Sequence, residues 1–208
     1  MRKGFGVLCI ILGICCLISS VGFIAYNLRE EEKAQIASKN LLQNVRENIP
    51  DTTHKGSSPE ESDRIESAEI LVDIPQDMLT AQVDGYDCIG VLSIPVLELE
   101  LPVLTEWSYA KLKIAPCHYF GSYFEKNFVI AAHNYQSHFG KLSELQTRDL
   151  ILFTDISGTV HYYEVVLLET LPGNATEEMI SGSFDLSLYT CTPGGAGRVT
   201  VRCNTISH

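Results

Sequence analysis

The chain reads as a mostly β protein: a closed or nearly closed barrel with short helices, preceded by an N-terminal transmembrane helix and a linker. Three observations predict this. An uncharged apolar run fills residues 5–26 behind Arg2 and Lys3. A polar stretch rich in Ser, Thr and Glu occupies Asp51 to Glu69. From Tyr86 onward, short alternating apolar runs recur with only single-turn helical patterns between them, the signature of a barrel of about 125 residues.

Taken in order, residues 5–26 are long enough to cross a hydrocarbon core, which needs about 20 apolar residues. Arg2 and Lys3 assign the N-terminus to the cytoplasm and the rest of the chain to the outside. A cleaved signal peptide is the competing reading, since Ser20-Val21-Gly22 offers a small-x-small pattern. The length of the run and the interfacial Tyr26 favour an uncleaved anchor, and place Cys9, Cys15 and Cys16 within it. The expected division is therefore 1–27 for the start and anchor, 28–69 for a juxtamembrane helix and flexible linker, and 70–208 for the barrel. Leu28, Ile36, Leu41, Leu42 and Val45 fall on a loose helical period, which Pro50 ends. Ile70 to Thr80 reads as a lead-in segment packed on the barrel.

Within the barrel, Cys88–Ile94 is a strand broken by Pro95, and 97–103 alternates an apolar with an acidic face. Ser108–Ile114 and Ser137–Gln146 read as short helices, and 115–119 as loop or extended chain. Asn127–Ala132 is a buried strand. Leu150–Phe153 and Val160–Leu168 are strands around an Asp155–Gly158 turn, and Thr176–Ile180 is a helical turn. Leu186–Thr190 delivers Cys191 at a strand end. Pro193, Gly194, Gly195 and Gly197 reverse the chain, and Arg198–Cys203 returns beside the first strand. Arg198, Thr200 and Arg202 share one face of that strand.

This hairpin brings a thiol and a guanidinium together, and a cationic neighbour favours the nucleophilic thiolate. A cysteine nucleophile also needs a base near in space. His133 ends the Asn127–Ala132 strand and borders a loop, as such a base would. The plain alternative is a structural cysteine beside a solvated arginine.

With these residues in view, the chain resembles the sortases, cysteine transpeptidases of Gram-positive cell surfaces. The matching features are Leu188-Tyr189-Thr190-Cys191, with Ser187 where the family signature has Thr, then Arg198 after the turn, Ala132-His133-Asn134, and Ile89–Pro95 as the opening strand. The resemblance implies an eight-stranded barrel with its site at one end. It also implies cleavage of a C-terminal, LPxTG-like sorting signal of surface proteins through a thioacyl enzyme. The acyl group then passes to an amine of a peptidoglycan precursor or a pilin. Cys191 would be the nucleophile, His133 the acid and base, and Arg198 the residue that holds substrate and stabilises charge, with Arg202 as the fallback. No Asp-Pro-aromatic lid motif precedes the barrel, which favours anchoring of single proteins over pilus polymerisation.

Two other functions compete: an extracytoplasmic cysteine endopeptidase that uses water, and a tethered binding barrel without catalysis. The net charge of −11 argues against nucleic acid as a partner. Cys117-His118 could begin a metal site, but three or four converging ligands are required and no supporting spacing is present, so neither metal nor cofactor is expected. His138 is expected at a loop or helix surface, His54 in the linker, and His161 on a strand. Cys88, Cys117, Cys191 and Cys203 are expected as free thiols, the alternative being a Cys88–Cys203 bridge.

Overall fold

A computed structural model describes residues 2–50 and 78–206, with side chains from residue 10 onward. The expected linker, His54, the Cys9 side chain and nearly all of the lead-in segment lie outside the described residues.

Helix α1 runs unbroken from Arg2 to Asn48. Pro50 cannot donate to the helical ladder and disfavours helical geometry at the residue before it, so the helix stops there. Arg46 in its last turn complements the helix dipole. The apolar side chains from Ile10 to Leu28 are exposed, and this is the one helix among the described residues long and apolar enough to cross a membrane. Beyond them the helix docks on the barrel. Ala34, Ser38, Leu41 and Val45, spaced by three and four, are buried against the wall formed by the first strands. Leu28 and Ile36, expected on the same stripe, are exposed instead. Small Ala34 and Ser38 are what allow the helix to lie close.

β1 (Ala81–Val83) and β2 (Tyr86–Ile94) form a hairpin. Its two-residue turn, Asp84-Gly85, has both φ angles positive, the geometry that suits the twist of paired strands. Pro95–Leu97 is a 3-10 turn, and β3 (Leu99–Leu104) returns against β2. β4 (Cys117–Phe120) occupies the stretch expected as loop or extended chain. β5 is Phe128–Ala131, β6 Leu150–Asp155, β7 Val160–Pro172, β8 Leu186–Cys191 and β9 Gly197–Thr205. The expected helix 108–114 is reduced to a 3-10 turn at Lys111–Lys113, whose first N–H is capped by Ser108 Oγ at 3.1 Å. Only Leu142–Glu144 of 137–146 is helical, also 3-10, yet Phe139, Leu142 and Leu145 are all buried as their spacing suggests. Helix α2 is Thr176–Ile180.

The strands pair in the order β1-β2-β3-β4-β5-β8-β9-β7-β6, and β6 pairs again with β2. Eight strands, β2 to β9, thereby close a barrel, while β1 extends one edge of β2. The joints β3–β4 and β5–β8 are parallel, and the rest are antiparallel. At the closing seam Gly90 is required, because a Cβ there would collide with the Thr154 carbonyl oxygen. The interior is filled by one cluster that includes Ile89, Leu92, Phe128, Ile130, Phe153, Leu186, Leu188 and Cys203. A second cluster, with Leu41, Val45, Cys88, Leu104, Leu112, Cys117 and Ala131, lies between the outer wall and α1.

Candidate active site

The site grows from the parallel joint of β5 and β8. Ala131 pairs with Tyr189, and the ladder continues with Ala132 N–H donating to the Tyr189 carbonyl at 3.1 Å. Buried Thr190 locks the joint, its hydroxyl donating to the Ala132 carbonyl at 2.8 Å. His133 lies two residues past the last β5 pair and Cys191 two residues past its β8 partner. On the other flank Cys191 pairs directly with Arg198 across the β8–β9 hairpin. The turn between them is closed by Gly195 N–H donating to the Thr192 carbonyl at 2.8 Å and Thr192 N–H to the Gly197 carbonyl at 3.0 Å. Gly194 and Gly195 have φ of 85° and 77°, where only glycine rests without strain.

Alternation along the strands decides which way these residues face. Leu186 and Leu188 point into the interior cluster. Tyr189 packs with the outer one, and Cys191 lies on the same face as Tyr189. Cys191 and Arg198 thus pair across β8 and β9, and His133 follows the end of β5, the strand on the other side of β8.

Cys191 is half-buried, whereas Cys88, Cys117 and Cys203 are buried. Burial pushes the thiols of Cys88 and Cys117 up to about 12 and that of Cys203 higher still, which leaves them inert as nucleophiles. All described cysteines are free. Cys203 belongs to the interior cluster and Cys88 to the outer one, so the Cys88–Cys203 bridge would have to pass through the barrel wall. The imidazole of His133 titrates below its ordinary value, first because it is partly buried and then because of the Lys113 charge. Its ring lies 4.8 Å from that of Tyr135.

The Arg198 Nη1 donates to the carbonyls of Gly195 and Gly197, at 3.2 and 3.0 Å. Its guanidinium borders a groove of about 220 Å³ lined also by Trp107, Tyr109, Tyr119, Met179 and Tyr189. The rings meet edge to face, Trp107–Tyr119 at 6.1 Å and Tyr119–Tyr189 at 5.3 Å. Sequence reasoning missed this aromatic wall, although four large rings within 107–119 and at 189 are visible in the chain.

Arg202, the fallback, is spent elsewhere. It is 2% exposed and binds Glu169 (2.8 Å), Ser187 Oγ (2.9 Å) and the carbonyls of Met179 (2.9 Å) and Glu178 (2.7 Å), with the Phe184 ring 5.3 Å away. His138 also departs from expectation: it is fully buried, not on a surface, and neither ring nitrogen has a hydrogen-bond partner among the described residues. Its apolar neighbours Phe139 and Leu142 draw the loop inward. Cys117 faces the outer cluster, while the His118 ring turns inward, 5.8 Å from Phe128, with its nitrogens on the Thr105 and Gly121 carbonyls. Adjacent strand residues diverge in this way. Among the described residues no group of three or more His, Cys, Asp or Glu side chains could hold a metal ion. His161 contacts Asp155 at 3.0 Å.

A family model for the Sortase domain matches residues 92–206, more than half of the chain. A search of curated proteins gives no match. Among solved structures, sortase A from Corynebacterium diphtheriae superposes with a TM-score of 0.54 at 23% identity, covering 59% of this chain and 62% of that one. Sortase C from Clostridium perfringens SM101 gives 0.52 at 22%, with 59% and 71% covered. Sortase C1 from Streptococcus suis gives 0.52 at 26%, with 58% and 74% covered. This chain thus spans less than two thirds of the C. diphtheriae structure, and A and C types superpose about equally well, which separates no subclass. Barrel closure and the domain match agree: the chain belongs to the sortase family.

Proposed function

We propose that the protein is a membrane-anchored cysteine transpeptidase that cleaves a C-terminal sorting signal and transfers the acyl group to an amine on a cell-wall precursor or a pilin. What supports this reading is the pairing of Cys191 with Arg198 across the β8–β9 hairpin, with His133 two residues past the end of β5, the strand that pairs with β8. Residues 1–27 are read as the start and anchor, with the N-terminus cytoplasmic, and residues 70–208 as the extracytoplasmic catalytic body.

The chemistry follows from protonation states. Because His133 titrates low, its resting form is neutral imidazole, a base. It takes the Cys191 thiol proton as sulfur bonds to the scissile carbonyl carbon. Arg198 stabilises the charge that develops on the carbonyl oxygen. His133, now imidazolium, returns its proton to the departing amine as the C–N bond breaks. An incoming amine then attacks the thioester, gives its proton to His133, and releases Cys191. The aromatic groove beside Arg198 supports an extended peptide lying along the outer wall.

The test uses the full chain in detergent micelles, a library of LPxTG-like peptides and a glycine peptide as amine. Ligated product detected by mass spectrometry, lost in Cys191→Ala and His133→Ala, is expected. Hydrolysis without ligation would move the reading to an endopeptidase. Peptide binding without turnover, unchanged in Cys191→Ala, would leave a binding barrel.

A further inference from the structure

We propose that the first turns of α1 beyond its apolar stretch belong to the working site, with Glu31 and Glu30 acting as positioning residues for His133. This rests on the catalytic reading of His133 given above.

The His133 loop is tightly folded on itself. Phe139 N–H donates to the His133 carbonyl at 3.1 Å, and the Tyr135 carbonyl accepts from His138 and Gly140 at 2.9 and 2.8 Å. Gly140 lies so close that a Cβ there would be 2.7 Å from the carbonyl oxygens of Asn134 and Tyr135. These bonds fix the shape of the loop but not its attachment to the outer wall. Phe139 and Leu142 anchor its far side in the interior cluster, and α1 adds a tie on the near side: the Gln136 N–H donates to Glu31 Oε1 at 2.8 Å, across 105 residues of sequence. A carboxylate on a backbone N–H is the stronger, charge-assisted kind of hydrogen bond. Beside it, Tyr26, Asn27, Glu30, Lys113, Asn134 and Tyr135 surround a cavity of about 360 Å³, so helix and loop share one wall.

Glu30 acts through charge. It pairs with Lys113 at 3.6 Å and with Lys33 at 3.0 Å, and Lys113 is one cause of the low titration of His133. The groups that act on His133 directly are Lys113 from the 3-10 turn and Tyr135 and His138 from its own loop, while Glu30 and Glu31 of α1 reach it through Lys113 and Gln136. The Glu30–Lys113 pair is solvent-accessible and adds little to stability. Removing Glu30 leaves the Lys113 charge uncompensated, which disfavours the imidazolium. From Tyr26 to Glu31 the helix rises only about 7–8 Å. The site is thereby held within about one and a half helical turns of the apolar stretch, not swung on a loose stalk.

The experiment keeps the full chain in micelles, with labelled histidines. Glu31→Ala is expected to speed exchange of the Gln136 amide about tenfold and lower kcat about tenfold with KM little changed. Glu31→Gln, which keeps an acceptor oxygen, should restore both. Glu30→Gln should move the His133 titration a few tenths of a pH unit toward acid, and the swap Glu30→Lys with Lys113→Glu should bring it back. Gln136 exchange unchanged in Glu31→Ala, or a His133 titration unmoved in Glu30→Gln, would overturn the proposal. Exchange and titration are read without substrate, so they stand whether or not a peptide is turned over. Turnover surviving in Cys191→Ala would instead sink the catalytic reading.

Discussion

Replacing Arg202 by Met takes a guanidinium out of a network that includes Glu169, Ser187 and two backbone carbonyls, leaving buried acceptors unpaired. Chemical denaturation should show a loss of about 3–5 kcal/mol. Lys cannot reproduce that planar fork, so Arg202→Lys should be costly too. Arg198→Ala removes two bonds to turn carbonyls at a half-exposed position, so stability should change by less than about 1 kcal/mol. Peptide cleavage by this variant should fall about 10²–10³-fold, and the reverse ordering of the two arginines would contradict their assigned roles. The thiols divide similarly. Among the cysteines of the barrel, alkylation of the native protein should modify Cys191 alone, while Cys88, Cys117 and Cys203 react only after unfolding, as peptide mapping can read.

At the scale of elements, the loop between β5 and β6 carries a charge penalty. Burial, and then neighbouring His133, push His138 down to about 4. The unfolded chain therefore binds this proton at a higher pH than the native one. Stability from this group is intact above about pH 6.5 and is lost as pH falls from there to about 4, by roughly 3 kcal/mol in all. His138→Phe should flatten that part of the stability curve in denaturation at pH 7, 6 and 5. Asp155 acts in a lower window. Burial raises its carboxyl, but hydrogen bonds from Ser157, His161 and Thr159 outweigh this and hold it below its ordinary value. Its contribution is lost only on further acidification through that lowered value. The rate should have its own acid limb. Because His133 must be neutral to accept the thiol proton, kcat/KM should decline below pH 6.5, and Lys113→Gln should shift that limb upward by relieving a positive neighbour.

At the scale of the whole molecule, the barrel and α1 are one packed body from Ala34 to Val45. Val45 is fully buried between α1 and the wall, so Val45→Ala should cost about 1–3 kcal/mol. Val45→Asp should cost more, by burying an unpaired carboxylate; equal, small effects in thermal unfolding would mean the helix does not dock.

Much of this was legible along the chain because it is local. Alternation located β3, β8 and β9, apolar and β-branched runs located β2, β5, β6 and β7, the Pro193–Gly197 cluster marked the hairpin, and the Cys191–Arg198 pairing follows from that hairpin alone. The Asp84-Gly85 turn was an equally local signal and went unread. What could not be read locally is what depends on strands far apart in sequence. The joint between β5, which leads to His133, and β8, which ends at Cys191, is parallel and spans 58 residues between Ala132 and Thr190, and no periodicity encodes a parallel register. Arg198 and Arg202 share a face and a spacing, and only α2 and β7 folding over one of them decided which is buried. His138 looks like any loop polar residue until Phe139 and Leu142 pull it inward. Most of the strands, the anchor-like helix and the Cys191–Arg198 hairpin could be read along the chain, since these depend on near neighbours. Which arginine is buried, and that α1 reaches the His133 loop, follow from the closed barrel alone, since burial and long-range contact exist only once it has formed.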